Sequence, residues 1–224
     1  MERIFAGEVY DLVPQANGLV FSHRKETVGD NEWIVVNYKM ISFDTGRMTD
    51  VAANIYQLSK FGSNYRAVVS LCDNYIRARA LVLPSSRVLL TEMNGNATLF
   101  DSDGSPVWHG DVLYRGGAPA DIAAYKNSIW ASFPKANVLL RFNPATMREE
   151  LRIGGMNSPF NSPHDIFVDG DVAVVCSTGS NKLIQVDLRS YAVSDYMEFS
   201  EPVYSYAHIQ KYEFVLLESG IYVL

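Results

Sequence analysis

The chain has 224 residues, 48% of them hydrophobic and 20% charged, with a formal net charge of −6. So much apolar material excludes an intrinsically disordered chain. The acidic balance excludes general attraction to nucleic acid or to an anionic membrane, which clustered Lys and Arg would carry.

At the N-terminus, Met1 to Gly7 shows no basic region followed by an apolar run, and no stretch reaches membrane-spanning length. A cytoplasmic protein with one domain over residues 1–224 is therefore expected. Within that first segment, Arg3-Ile-Phe-Ala-Gly7 reads as a strand ending in glycine. The same ending is read at Lys60-Phe61-Gly62, Arg115-Gly116-Gly117 and Arg152-Ile153-Gly154-Gly155, each as an outer strand of a repeated unit.

A second landmark is a large apolar residue followed by Asp or Asn and a turn. It occurs at Phe43-Asp44, Phe100-Asp101, Phe142-Asn143 and Val186-Asp187, at intervals of 57, 42 and 44 positions. The Asp or Asn side chain can bond to backbone two residues on, which caps the turn. The long first interval implies an insertion, placed at Tyr65 to Arg79, as a loop over one face of the scaffold or an extended strand. Cys72 falls in it. Together with Cys176 it is too isolated for a disulfide framework or thiolate metal site, so both cysteines are expected to be small buried apolar residues.

The repeat is plainest in the second half. Pro119 recurs at Pro163, Asp121 at Asp165, Ile122 at Ile166 and Asn137 at Asn181, a shift of 44 positions. Ile166-Phe-Val, Asp169-Gly170 and Val172-Ala-Val-Val form an apolar run, a hairpin dipeptide and a second apolar run. Runs without clean alternation suit strands buried on both faces, and a period in the low forties suits a four-stranded propeller blade. The chain stops at Ile221 to Leu224, where a third strand should end, so the N-terminal segment is expected to supply the missing outer strand. The fold class that follows is all-β, a five-bladed β-propeller closed by the N-terminal strand joining the last blade.

Asn161-Ser-Pro-His-Asp-Ile-Phe-Val-Asp-Gly, continuing through Ser180-Asn181 to Val186-Asp187, resembles one unit of the NHL-type and gluconolactonase-type propellers. The resemblance is good over that blade, fair over Ala118 to Asn143 and weak elsewhere. It implies blade architecture and no particular activity. The Gly-His and Trp-Asp signature of WD40 repeats is absent.

Propellers bind ligands at a mouth of the central channel, where inner strands begin. Aligned on the repeat, that position holds Asp121, His164 with Asp165, and His208, with Arg79 near it in the second blade and His23 and Arg24 in the first. Imidazoles converging with a carboxylate suit a divalent metal, with His164 and His208 as ligands. Asp121, Asp165 and His164 are the candidates for acid–base roles, with Arg24 or Arg79 holding an anionic group. The bland reading stands beside this: such side chains often only bond backbone or a neighbouring blade. Tyr206, with Tyr204 and Tyr212, would line a ligand platform or else pack the core. The leading function is a binding or scaffold propeller for a small molecule or protein. The alternative is a metal-assisted hydrolase, lactonase or lyase.

Overall fold

Inner and middle strands carry nearly continuous apolar runs; in the computed structural model the second strand of each blade is buried on both faces, while the inner strands are only partly buried. Residues 1–24, 36–72 and 79–224 are described. In chain order, β1 (Glu2–Phe5) belongs to the last sheet. The first blade is β2 (Val9–Gln15), β3 (Gly18–Arg24), β4 (Val36–Ser42) and β5 (Met48–Val51). Two helices follow, α1 (Ala53–Phe61) and α2 (Tyr65–Cys72). The second blade is β6 (Arg79–Val82), β7 (Val88–Thr91), β8 (Asn96–Phe100) and β9 (Pro106–Asp111). The third is β10 (Asp121–Tyr125), β11 (Ser128–Phe133), β12 (Val138–Phe142) and β13 (Glu149–Gly154). The fourth is β14 (Pro163–Asp169), β15 (Val172–Ser177), β16 (Lys182–Asp187) and β17 (Val193–Glu198). The fifth is β18 (Val203–Ile209), β19 (Tyr212–Leu217), β20 (Gly220–Val223) and, last, β1. Five four-stranded sheets in this order make a five-bladed β-propeller, closed by its N-terminal strand.

The contacts divide the chain into two compact units, residues 1–65 with 205–224, and residues 66–204. In the first, β1 pairs antiparallel with β20, Glu2 opposite Val223, Arg3 opposite Tyr222 and Phe5 opposite Ile221. The pairing covers a sheet edge that would otherwise present unpaired backbone. Phe5 packs on Phe21 of β3, ring centres 4.9 Å apart. Gly220 opens β20 at φ +137°, and a methyl there would run into the Phe5 carbonyl. Only glycine allows β1 that close.

Helix α1 lies on the first blade with no fully buried residue of its own. It is held by polar contacts. Tyr56 stacks on Tyr38, and its hydroxyl donates to Asp11 at 2.5 Å. Lys60 also reaches Asp11, and Gln15 Nε2 donates to the Ser59 carbonyl at 3.0 Å. Burial, then the Asp11 charge, pushes the Tyr56 phenol above its ordinary value. The expected outer strand at Lys60-Phe61-Gly62 is thus the end of a helix: Gly62, at φ +57°, is its C-cap, and the blade's outer strand is β5. The insertion accordingly starts at Ala53 rather than Tyr65, and its stretch 73–78, with Asp73, Asn74 and Arg77, lies outside the described residues.

In the second unit, strand alternation feeds two cores at once. From β11, Ile129, Ala131 and Phe133 pack with Leu89, Leu99 and Leu140, while Trp130 points the other way, into Leu139, Phe160, Val175 and Ile184. Arg115-Gly116-Gly117 proves to be a tight turn beyond β9, closed by reciprocal Tyr114–Gly117 backbone bonds, rather than a strand end. Arg152 to Gly154 does end an outer strand. Among the described residues no helix is long and apolar enough to cross a membrane.

Candidate functional site

Three inner strands of the second unit begin with the residues singled out from the sequence. Arg79 is the first residue of β6 and Asp121 the first of β10, while His164 and Asp165 follow Pro163 in β14. Between Pro163, opposite Ser177, and Ile166, opposite Val175, β14 carries one extra residue, so His164-Asp165 is a β-bulge. A bulge takes backbone groups out of the ladder, and they need other partners. The third blade supplies them. Ser132 Oγ donates to the His164 carbonyl, and Asp121 Oδ2 accepts from the Ile166 N–H at 3.0 Å. Asp121 N–H donates to the same Ser132 Oγ at 3.1 Å.

Asp121 is therefore a clamp. Its second oxygen takes Arg79 Nη1 at 3.1 Å, with 18% of the Asp121 side chain and 49% of the Arg79 side chain exposed. His164 is half-buried, edge-on to Tyr204 with ring centres 6.1 Å apart. Burial, then the Arg79 guanidinium, lowers its pKa from the ordinary value, against a smaller opposing effect of Asp121. The imidazole is accordingly neutral near pH 7. Cys176 is fully buried, and burial, then the charges of Asp165 and Asp121, holds its thiol well above its usual range. It is the small buried residue expected, whereas Cys72, at the end of α2, is only half-buried.

The remaining residues fall elsewhere. His208 is the sixth of seven residues of β18, beside the β18–β19 turn, where its Nε2 meets the Gln210 carbonyl at 2.9 Å. The strand-start position of the fifth blade belongs instead to Val203, Tyr204 and Ser205. The expected register was three residues out, because Tyr206, not Ile209, corresponds to Ile166. Tyr206 is 5% exposed with its hydroxyl donating to Glu213 at 3.0 Å, a core residue rather than a platform. His23 and Arg24 end the second strand of the first blade, not the start of its first, with His23 opposite Val9. His23 packs edge-on to Phe5 at 5.3 Å, and Arg24 pairs with Glu8 at 3.3 Å. Among the described residues no three His, Cys, Asp or Glu side chains gather closely enough to share a metal ion.

Next to the Arg79–Asp121 pair, in the same unit, lies a cleft of about 240 Å³ lined by Arg79, Thr91, Glu92, Met93, Ala118 to Ala120 and Lys135. Glu92 and Met93 stand on the β7–β8 hairpin. That turn is fixed by Gly95, at φ +92° and packed on Leu113, where a side chain would collide. Lys135 sits in the short helical turn joining β11 to β12, which Asn137 ends in the left-handed conformation. Sequence reasoning reached Arg79 and missed Glu92, Met93 and Lys135. The Asn94-Gly95 dipeptide was the available signal, since it marks a hairpin whose preceding residues project from the sheet end.

Such a site on a blade scaffold defines the class: a propeller with a small cleft, part polar and part apolar, at the ends of its strands. Among solved structures, yeast (Saccharomyces cerevisiae) Sqt1 is similar with a TM-score of 0.55 at 10% identity, over 96% of this chain and 71% of that one. Virginiamycin B lyase from Staphylococcus aureus matches with a TM-score of 0.53 at 12% identity, over 95% of this chain and 64% of that one. The computationally designed Ika4 protein matches at 0.52 and 10% identity, over 66% of this chain and 92% of that one. The chain thus spans less than two thirds of the lyase's length, and at these identities the likenesses show the propeller fold alone. No protein-family model matches the sequence, nor does any curated protein sequence.

Proposed function

We propose that this propeller is a binding module that takes a small molecule in the cleft at the strand ends of its second and third blades. The carrying observation is the cleft itself, walled by Arg79, Glu92, Met93 and Lys135 on backbone pinned by two tight turns. Preorganised polar groups around a concave surface are what small-ligand sites share. The carboxylate that looked catalytic, Asp121, supports the scaffold reading, because both its oxygens are engaged within the protein. The metal-assisted alternative rested on His164 and His208 sharing equivalent strand starts, and His208 occupies the other end of its strand.

The test is a small-molecule screen read by amide chemical shifts, with ligands at about 1 mM, the ~4 kcal/mol affinity range. Ligands should shift Thr91 to Met93, Ala118, Ala120 and Lys135 together. Ala118→Phe, which puts a ring into the cleft, should abolish that response at unchanged melting temperature. Binding that ignores Ala118→Phe, or no binder at all, would overturn the proposal.

A further inference from the structure

Of the three charged residues that line the cleft, ion pairing accounts for one. Lys39, Lys60, Lys126 and Lys182 each reach a carboxylate, on Asp50, Asp11, Asp171 and Asp195 respectively. Arg79 is matched by Asp121. Lys135 and Glu92 line one cleft, and among the described residues neither side chain has an ion-pair partner. A cation and an anion without ion-pair partners, on two separate turns that line one small cleft, are complementary to a ligand that carries both signs.

Both charges stand on fixed backbone. The Glu92 N–H donates to the Asn96 carbonyl at 2.8 Å, and its own carbonyl accepts from Gly95 at 2.9 Å. The Lys135 stem lies over Gly117, where a methyl would meet Lys135 Cδ at 3.5 Å. A cleft of about 240 Å³ falls below the ~300 Å³ at which drug-sized sites begin. Met93, 69% exposed, adds a flexible apolar wall able to adapt to different side chains. A purely anionic ligand would face Glu92, and a purely cationic one would face Lys135 and Arg79.

Resting on the binding reading above, we infer that the cleft takes a free amino acid or dipeptide, its ammonium toward Glu92 and its carboxylate toward Lys135. The experiment titrates the intact protein with methionine and glycylmethionine, each also in N-acetylated and C-amidated form, by calorimetry and amide shifts. Blocking either end should weaken binding about tenfold or more, the scale of one charge-assisted hydrogen bond. Glu92→Gln should cost the free ligands as much as N-acetylation does and add little to it. Lys135→Gln should do the same with amidation. Both residues are solvent-accessible, so melting temperatures should hold. Blocked forms binding as well as free ones would overturn the inference, as would free forms failing while other screened ligands still shift the cleft. That second outcome would leave the binding role standing, whereas a cleft that answers to no ligand would remove both.

Discussion

Gly220 is where the closure of the last blade is most exposed to a single atom. Gly220→Ala forces an L-residue into φ +137°, a conformation costing about 1–3 kcal/mol. It also drives a methyl into the Phe5 carbonyl and to 3.1 Å from Ala6 Cα, both backbone, which no rotamer change relieves. Strand β1 must then retreat from β20 at the Phe5–Ile221 pair. Losing two or three backbone bonds at ~1 kcal/mol each, with about 1 kcal/mol of Phe5–Phe21 ring packing, brings the total to roughly 4–7 kcal/mol. For a chain of this size that is a melting-temperature drop of roughly 10–20 °C. Gly46→Ala is the control, because Gly46 shares a positive φ of +64° but has nothing within 4 Å of its would-be methyl. Urea titration of both variants gives the difference, and hydrogen exchange should show Arg3 and Phe5 amides losing protection only in Gly220→Ala. Equal destabilisation of the two variants would refute the closure argument.

Asp121→Ala should cost about 1–3 kcal/mol by leaving the Ile166 N–H without an acceptor. Asp121→Asn, which keeps an amide oxygen, should cost much less, and chemical denaturation separates them. Tyr56→Phe removes the hydroxyl donor to Asp11 and should loosen α1 by about 0.5–1.5 kcal/mol, read as faster exchange confined to Ala53–Phe61. His164 has a lowered folded pKa, so the unfolded chain binds more protons below its ordinary value of about 6.5. Its contribution is therefore complete above pH ~6.5 and is lost as pH falls from there toward the folded value. His164→Gln should flatten the stability–pH curve across that window, and an unchanged slope would show the imidazole to be freely solvated.

The architecture was legible because its markers are set by turn chemistry. Phe100-Asp101, Phe142-Asn143 and Val186-Asp187 close third strands, and Asp101, Asn143 and Asp187 accept backbone N–H groups from the turns that follow. Asn137 and Asn181, 44 positions apart, end equivalent short turns in the same left-handed conformation. The misplaced His208 has the same kind of explanation. The hairpin after the inner strand puts one residue at positive φ in each of three blades: Lys126 at +49°, Gly170 at +57° and Gln210 at +57°. Only one of the three is glycine, so the turn is visible in the fourth blade and invisible in the fifth. Helix α1 was missed for a related reason: its capping glycine, Gly62, looks like the glycines that end outer strands.

The residues that stood out chemically in the sequence are those the scaffold consumes. Asp121 holds a bulge and an arginine, Tyr206 is buried on Glu213, and His23 is packed on Phe5. A repeat alignment finds positions that recur, and recurring positions are the ones blades use to hold each other. Recognition needs the reverse, side chains particular to one blade and left without an internal partner. Glu92 on one hairpin and Lys135 on one connecting turn meet both conditions. No repeat-based reading could have selected them, because neither has a charged counterpart one blade further on: 44 positions after Lys135 stands Gly179, and 42 after Glu92, the spacing of Phe100 and Phe142, stands Pro134.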